Sequence, residues 1–258
     1  TIVLQEGEVY EFSAAYDDFD GPTALPSITS EITIAGNGAS IQGFERDSQE
    51  DPFFRILHVS SGGDLTLNDV TVAKGYTPVS PFRDDDIPRG AGLHVAAGGK
   101  ATLTNTRWTG HYPDVIYNGS DLVMGESRIT ENQGDIDSSA STHGLTNYGT
   151  AELTAVTFHE NRLTAVYNAD GATLRMIDST LSFNFGESAG TGAIINHGSA
   201  HLTGTDLLDN SNYDHVGGIV NVGDLHFEGG EISRNASALD GGALWNIGEA
   251  TLKDAVLE

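Results

Sequence analysis

Residues 144 to 161 read "GLTNYGTAELTAVTFHEN", and this stretch decides the fold. Leu145, one further residue and Asn147 open it; Phe158, two further residues and Asn161 close it. In between, Ala151 and Leu153 alternate with Thr150, Glu152 and Thr154, the period of a strand with one buried face. The same pattern returns as "VIYNGSDLVMGESRITEN", "AVYNADGATLRMIDSTLSFN", "AIINHGSAHLTGTDLLDN", "GIVNVGDLHFEGGEISRN" and "ALWNIGEATLKDAVLE". Aligned, the repeats give a first column of Asn118, Asn147, Asn168, Asn196, Asn221 and Asn246, spaced 21 to 29 residues apart. A second column holds Asn132, Asn161, Asn184, Asn210 and Asn235.

Units of this length hold two or three short strands and leave no room for a helix. The architecture that stacks them is a right-handed parallel β-helix, each coil pairing with the next. The Asn columns are expected to turn the chain in the left-handed conformation and to stack as structural amide ladders. An inward ladder makes "NGS" at 118 and "NAS" at 235 poor glycosylation acceptors. Upstream, "RILHVSSGGDLTLNDVTVAKG" and "AGLHVAAGGKATLTNTRWTG" superpose without a gap, with Val59 and Val95 in the Asn position. "SEITIAGNGASIQG" is a shorter coil, and residues 1–31 read as an N-terminal cap over the open sheet edge. The whole of 1–258 is thus expected to be one domain.

The combination "LPSITSEITIAGNGASIQG", "FRILHVSSGGDLTLNDVTV", "GGAL" at 241 and "FHEN" at 158, with "LSFN", "LLDN" and "ISRN" as relaxed forms, resembles bacterial exported β-helix proteins. It is similar to the polymorphic outer-membrane protein repeats, marked by Gly-Gly-Ala-Ile-like and Phe-x-x-Asn tetrapeptides. The resemblance implies the right-handed β-helix, export to the cell surface or medium, and adhesin-like binding. It implies no specific activity, because the matching residues are structural. By the repeat, another ladder Asn falls due at position 259. The expectation is a C-terminal end cut mid-repeat, with assembly or further domains beyond residue 258.

Composition narrows the partners. The chain has 258 residues, 12 Lys and Arg against 37 Asp and Glu, and a formal charge of -25. Such a surface repels phosphate backbones and anionic lipid, which excludes nucleic acid. It suits cations, calcium above all, and it also serves solubility. With no cysteine, disulfides and thiolate metal sites are absent. No apolar run is long enough to span a bilayer, and no motif requires a cofactor.

Insertions follow the second Asn and would line one edge of the rod. They carry Asp47, Glu50, Asp51, Asp84, Asp85, Asp86, Asp114, Asp135, Asp137, Glu187 and Asp214, with Arg46, Arg83, Arg89, His111, Tyr112, His143, Tyr213 and His215 among them. Asp84, Asp85 and Asp86 are the candidate calcium ligands, although three consecutive side chains cannot all face one ion. "DDFDG" at 17 to 21 lacks the downstream Glu of a calcium loop and reads as an acidic turn. His201 and His226 should sit side by side on neighbouring coils, two imidazoles with no third ligand.

The residue before each ladder position should point outward, which puts His58, His94, Tyr117, Thr146, Tyr167, Ile195, Val220 and Trp245 in one column. An exposed, partly aromatic ridge of this kind can stack on sugar rings or pack on a protein. The reading is a secreted or surface-displayed binding or structural module, with a polysaccharide or a surface protein as partner and His58, His94, Tyr117, Tyr167 and Trp245 as contacts. The alternative is a calcium-dependent polysaccharide lyase or other glycan-active enzyme. For the lyase, Arg83 or Arg89 would receive a uronate carboxylate with Lys74 or His111 as base. For a two-carboxylate hydrolase no single pair of acids stands out. A compact cluster of base, Arg and carboxylate on neighbouring coils would favour the lyase.

Overall fold

The structure, a computed structural model, describes residues 1–18, 20–46, 48, 50–78, 89–134, 142–186, 191–213, 215–238 and 241–258. Among these there is no helix, and every pairing between strands is parallel. The fold is a parallel β-helix.

One face is an eight-stranded sheet: Leu57–Val59, Leu93–Val95, Ile116–Asn118, His143–Asn147, Thr164–Asn168, Ile194–Asn196, Ile219–Asn221 and Leu244–Asn246. Each strand pairs with its counterpart one coil on, and the register puts Val59 beside Val95, Val95 beside Asn118, and each ladder Asn beside the next. A seventeen-stranded sheet wraps the other two faces. Its early strands, Glu31–Gly43, Asp64–Ala73 and Lys100–Thr109, run unbroken round a corner. From the next coil onward the corner splits each into a pair such as Asp121–Gly125 and Arg128–Thr130.

The corners are where the chain takes the left-handed conformation. Asn37, Asp69, Asn105, Glu126, Ala155 and Asp178 occupy the first corner with φ of 47° to 54°. Lys74, Glu131, Glu160, Phe183, Asp209 and Arg234 occupy the second with φ of 52° to 59°. No ladder Asn has positive φ, so the turn-forming role expected of that residue belongs instead to the residue before the second Asn. That conformation costs non-glycine residues roughly 1 kcal/mol each. A regular gain offsets it: from Glu126 onward the first-corner N–H bonds the carbonyl one coil on, as in Glu126 to Thr154 at 3.0 Å and Ala155 to Ile177 at 2.9 Å, and the second corner does the same.

The inward faces build one continuous core from Ala24 to Ile232. Large and small residues alternate along one row, Leu122, Ala151, Leu174, Ala200 and Leu225, so neighbouring coils interlock. Val72, Trp108, Ile129, Phe158, Leu181, Leu207 and Ile232 form another, all buried.

The cap expected over residues 1–31 adds rungs to the sheets. Ile2–Val3 and Val9–Phe12 pair in parallel with Glu31–Gly43. Residues 22–28 form a strap along the first strand of the eight-stranded sheet, with Ala24 N–H bonded to Arg55 O at 2.8 Å and Ile28 N–H to His58 O at 2.9 Å. Asp20 lies just before this strap.

Candidate functional site

Both Asn columns are amide ladders, buried except at the half-buried Asn235 and the exposed Asn246. In the first, Nδ2 of Asn118 donates to Oδ1 of Asn147 at 2.7 Å, and the chain continues through Asn168, Asn196 and Asn221 to Asn246 at 2.7 to 2.8 Å. The second runs from Asn132 through Asn161, Asn184 and Asn210 to Asn235 at 2.8 to 3.0 Å. There Oδ1 also accepts the backbone N–H of the preceding Asn, as at Asn161 and Asn184.

His111 is the imidazole member of this second ladder. Its Nδ1 accepts the N–H of Gly75 at 3.0 Å and its Nε2 donates to Val72 O at 3.0 Å. Asn132 and Asn161 make the equivalent bond to Trp108 O and Ile129 O. Both ring nitrogens are committed and the side chain is fully enclosed; burial pushes its pKa down to about 4. His111 is therefore not the base of a lyase. Lys74 is ion-paired to Glu45 at 2.8 Å.

The column before the ladder forms in the expected register, but the ridge is largely covered. His58 is 1% exposed, His94 and Tyr117 are partly buried, and Thr146 and Ile195 are buried. Trp245, at 46%, is open, as the sequence suggested. The strap covers the first rung, which a repeat alignment does not show. What does lie open was not singled out: Tyr148, one residue after Asn147, is 45% exposed. Its ring centroid lies 5.5 Å from Tyr117 and 6.2 Å from Tyr167, and Tyr167 continues to His197 at 5.6 Å. The rings make an unbroken band across successive coils.

Two ionisable groupings flank this band. Under the strap, His58 Nε2 lies 3.2 Å and His94 Nδ1 3.6 Å from Asp20 Oδ2. Arg55, fully buried, donates through Nη1 to His94 Nδ1 and through Nη2 to Asp20 O. Burial lowers all three side-chain pKa values: Arg55 to about 10, His94 to about 2 with the Arg55 charge adding to the effect, and His58 in the same direction for the same reasons. Further along, Asp114 Oδ1 accepts the N–H of His143 at 2.6 Å and lies 3.6 Å from its Nδ1. Nδ1 of His143 also meets Thr146 Oγ1 at 3.0 Å, and its ring stacks on Tyr167 at 4.9 Å. Burial raises Asp114 to about 6 and lowers His143 to about 3. The Arg89 guanidinium sits over the Tyr117 ring, 5.4 Å from its centroid.

Arg55, Asp114 and His143 share one position, four residues before Val59, Asn118 and Asn147. Later coils hold Gly192, Gly217 and Gly242 there. That substitution was the legible signal for this cluster. Asp84, Asp85 and Asp86 lie outside the described residues, as do Asp47, Arg83, Asp135, Asp137, Glu187 and Asp214. In the acidic turn, Asp17 Oδ2 caps the N–H of Ser27 at 2.8 Å. His201 and His226 are adjacent as expected, with centroids 5.8 Å apart. A shallow cavity of about 190 Å³ beside Asp69, Asn105, Arg107 and Glu126 shares no residue with these groupings. The chain matches no protein-family model and no curated protein sequence.

Proposed function

We propose that this protein is an exported, surface-displayed β-helix module that binds an extended glycan along the band of Tyr117, Tyr148, Tyr167 and His197. The observation that carries the reading is the continuity of the rings along the rod axis, with Tyr148 exposed at the centre. Sugar faces stack on such rings, and an aromatic ring pair, the comparable contact, is worth roughly 0.5–1.5 kcal/mol. A repeat of one strand spacing, roughly 4.8 Å per coil, presents the rings in series to a linear polymer. The resemblance to exported surface repeats supports the location, and the charge of -25 favours glycans over nucleic acid. Electrophoresis through gels containing neutral or acidic polysaccharides tests the reading. Retardation by one polymer, weakened about three- to tenfold by Tyr148→Ala, is the expected result. Equal mobility in every gel would count against it.

The lyase is the second reading. Arg89, Asp114, Tyr117 and His143 stand on neighbouring coils, the kind of cluster that uronate elimination needs. Against it, Asp114 and His143 face each other, and His143 Nε2 is enclosed. Ultraviolet absorbance of unsaturated product, recorded on the retained polymer with calcium and with chelator, separates lyase from passive module.

A further inference from the structure

We infer that Asp20, His58 and His94 form a binding site for a divalent transition metal ion, with zinc as the type case. Their ligand atoms all lie within 4.8 Å of one another. Bonds of 2.0–2.1 Å to a tetrahedral ion place its ligands roughly 3.3 Å apart. The two separations to Asp20 Oδ2, 3.2 and 3.6 Å, bracket that edge.

The second observation is the state of His58. Its ring is 1% exposed, and its Nε2 lies 3.2 Å from the Asp20 carboxylate without a well-directed hydrogen bond to it. A buried polar nitrogen held in a poorly directed contact is under-satisfied, and an ion between the two atoms satisfies both. The other ring nitrogen, Nδ1, meets Ser27 Oγ at 2.8 Å, which fixes the ring with Nε2 turned toward Asp20. Metal-bound histidines are commonly held in this way through the nitrogen that does not ligate. Two imidazoles favour a zinc-like ion over calcium, and three protein ligands leave a fourth position for water. Both imidazoles are held neutral by burial, the form that ligates.

Arg55 is the competitor. Its Nη1 now occupies the lone pair of His94 Nδ1 and supplies the positive charge beside Asp20. An ion must displace that contact, and the guanidinium weakens its binding. The ion would tie Asp20, at the start of the strap, to the first two strands of the eight-stranded sheet.

Titration calorimetry of the full chain with zinc, with calcium as control, and visible absorption with cobalt test the site. Zinc should bind with a stoichiometry of one and raise Tm, and calcium should not. Asp20→Asn removes a ligand that is half exposed and outside the core, so this variant should fold and lose binding at least tenfold. Arg55→Gln should tighten binding about tenfold. No zinc or cobalt binding by either the native chain or Arg55→Gln would overturn the assignment. Binding that survives Asp20→Asn and is lost in His201→Ala would also overturn it, by placing the ion at His201 and His226.

Discussion

The first four and the last three strands of the eight-stranded sheet have the same backbone and opposite chemistry. In the early strands the outward column holds His58, His94 and Tyr117, and the position four before the ladder holds Arg55, Asp114 and His143. In the late strands the outward column holds Ile195, Val220 and the exposed Trp245, and the other position holds Gly192, Gly217 and Gly242, as Ala91 already does in the second strand. The ladders run through both halves at the same distances. The ladder register is therefore kept without any buried ionisable group at these positions. Ionisable groups are expensive to bury, and the scaffold does not require them, so their confinement to the early strands is a difference in chemistry that experiment can probe.

Acid should break the comparison most visibly. His94, His111 and His143 have folded pKa values of about 2, 4 and 3 against an ordinary 6.5, and His58 is shifted the same way. Below pH 6.5 the unfolded chain binds more protons than the folded one. Stability is therefore full above 6.5 and is lost as pH falls toward each folded value, about 1.4 kcal/mol per pH unit for each histidine. Asp114, raised to about 6, acts oppositely: it costs stability as pH rises from 3.8 through 6, which partly offsets the histidines in that window. All four of these histidines lie before residue 148. Hydrogen exchange at pH 5 should show lost protection in strands up to His143–Asn147 while Ile219–Asn221 remains protected. Uniform loss along the rod would refute the division.

The ladder tests the shared part. Asn168→Ala takes one of three acceptors from Asn147 Nδ2, which keeps Gly149 O and Thr173 O, and removes the donor to Asn196 Oδ1 in fully buried surroundings. An unsatisfied buried group costs about 1–3 kcal/mol, so urea unfolding should show a loss of about 1–3 kcal/mol from the Asn196 oxygen alone. Asn246→Ala, in the exposed last coil, should cost under about 1 kcal/mol. Equal losses would mean that the ladder does not act through burial.

How much of this was legible follows from where each signal resides. The coils, the register of Val59 with Val95, and both Asn columns are local and repeat, so the sequence displays them. The left-handed corners were assigned to the wrong residue because Glu131, Glu160 and Phe183 have no common chemistry; backbone geometry alone selects the position. Arg55 and Asp20 meet across 35 residues through a strap that belongs to no repeat, and periodicity is blind to it. His111 was legible in part. It falls where a ladder Asn would stand, but only the bonds to Gly75 and Val72 show that it is a ladder member and not a base.

That reading of His111 gives a sharper, smaller test. His111→Ala removes the acceptor for Gly75 N–H and the side-chain donor to Val72 O, for a loss of about 1–3 kcal/mol. His111→Asn restores a carbonyl and an amide in the ladder position, as Asn132 supplies on the next coil. It should recover most of that loss and flatten the acid dependence by one histidine's share. Unfolding at pH 7 and pH 5 separates the two contributions. If Asn is no better than Ala at pH 7, then size and not hydrogen bonding selects the imidazole, and the second ladder begins at Asn132.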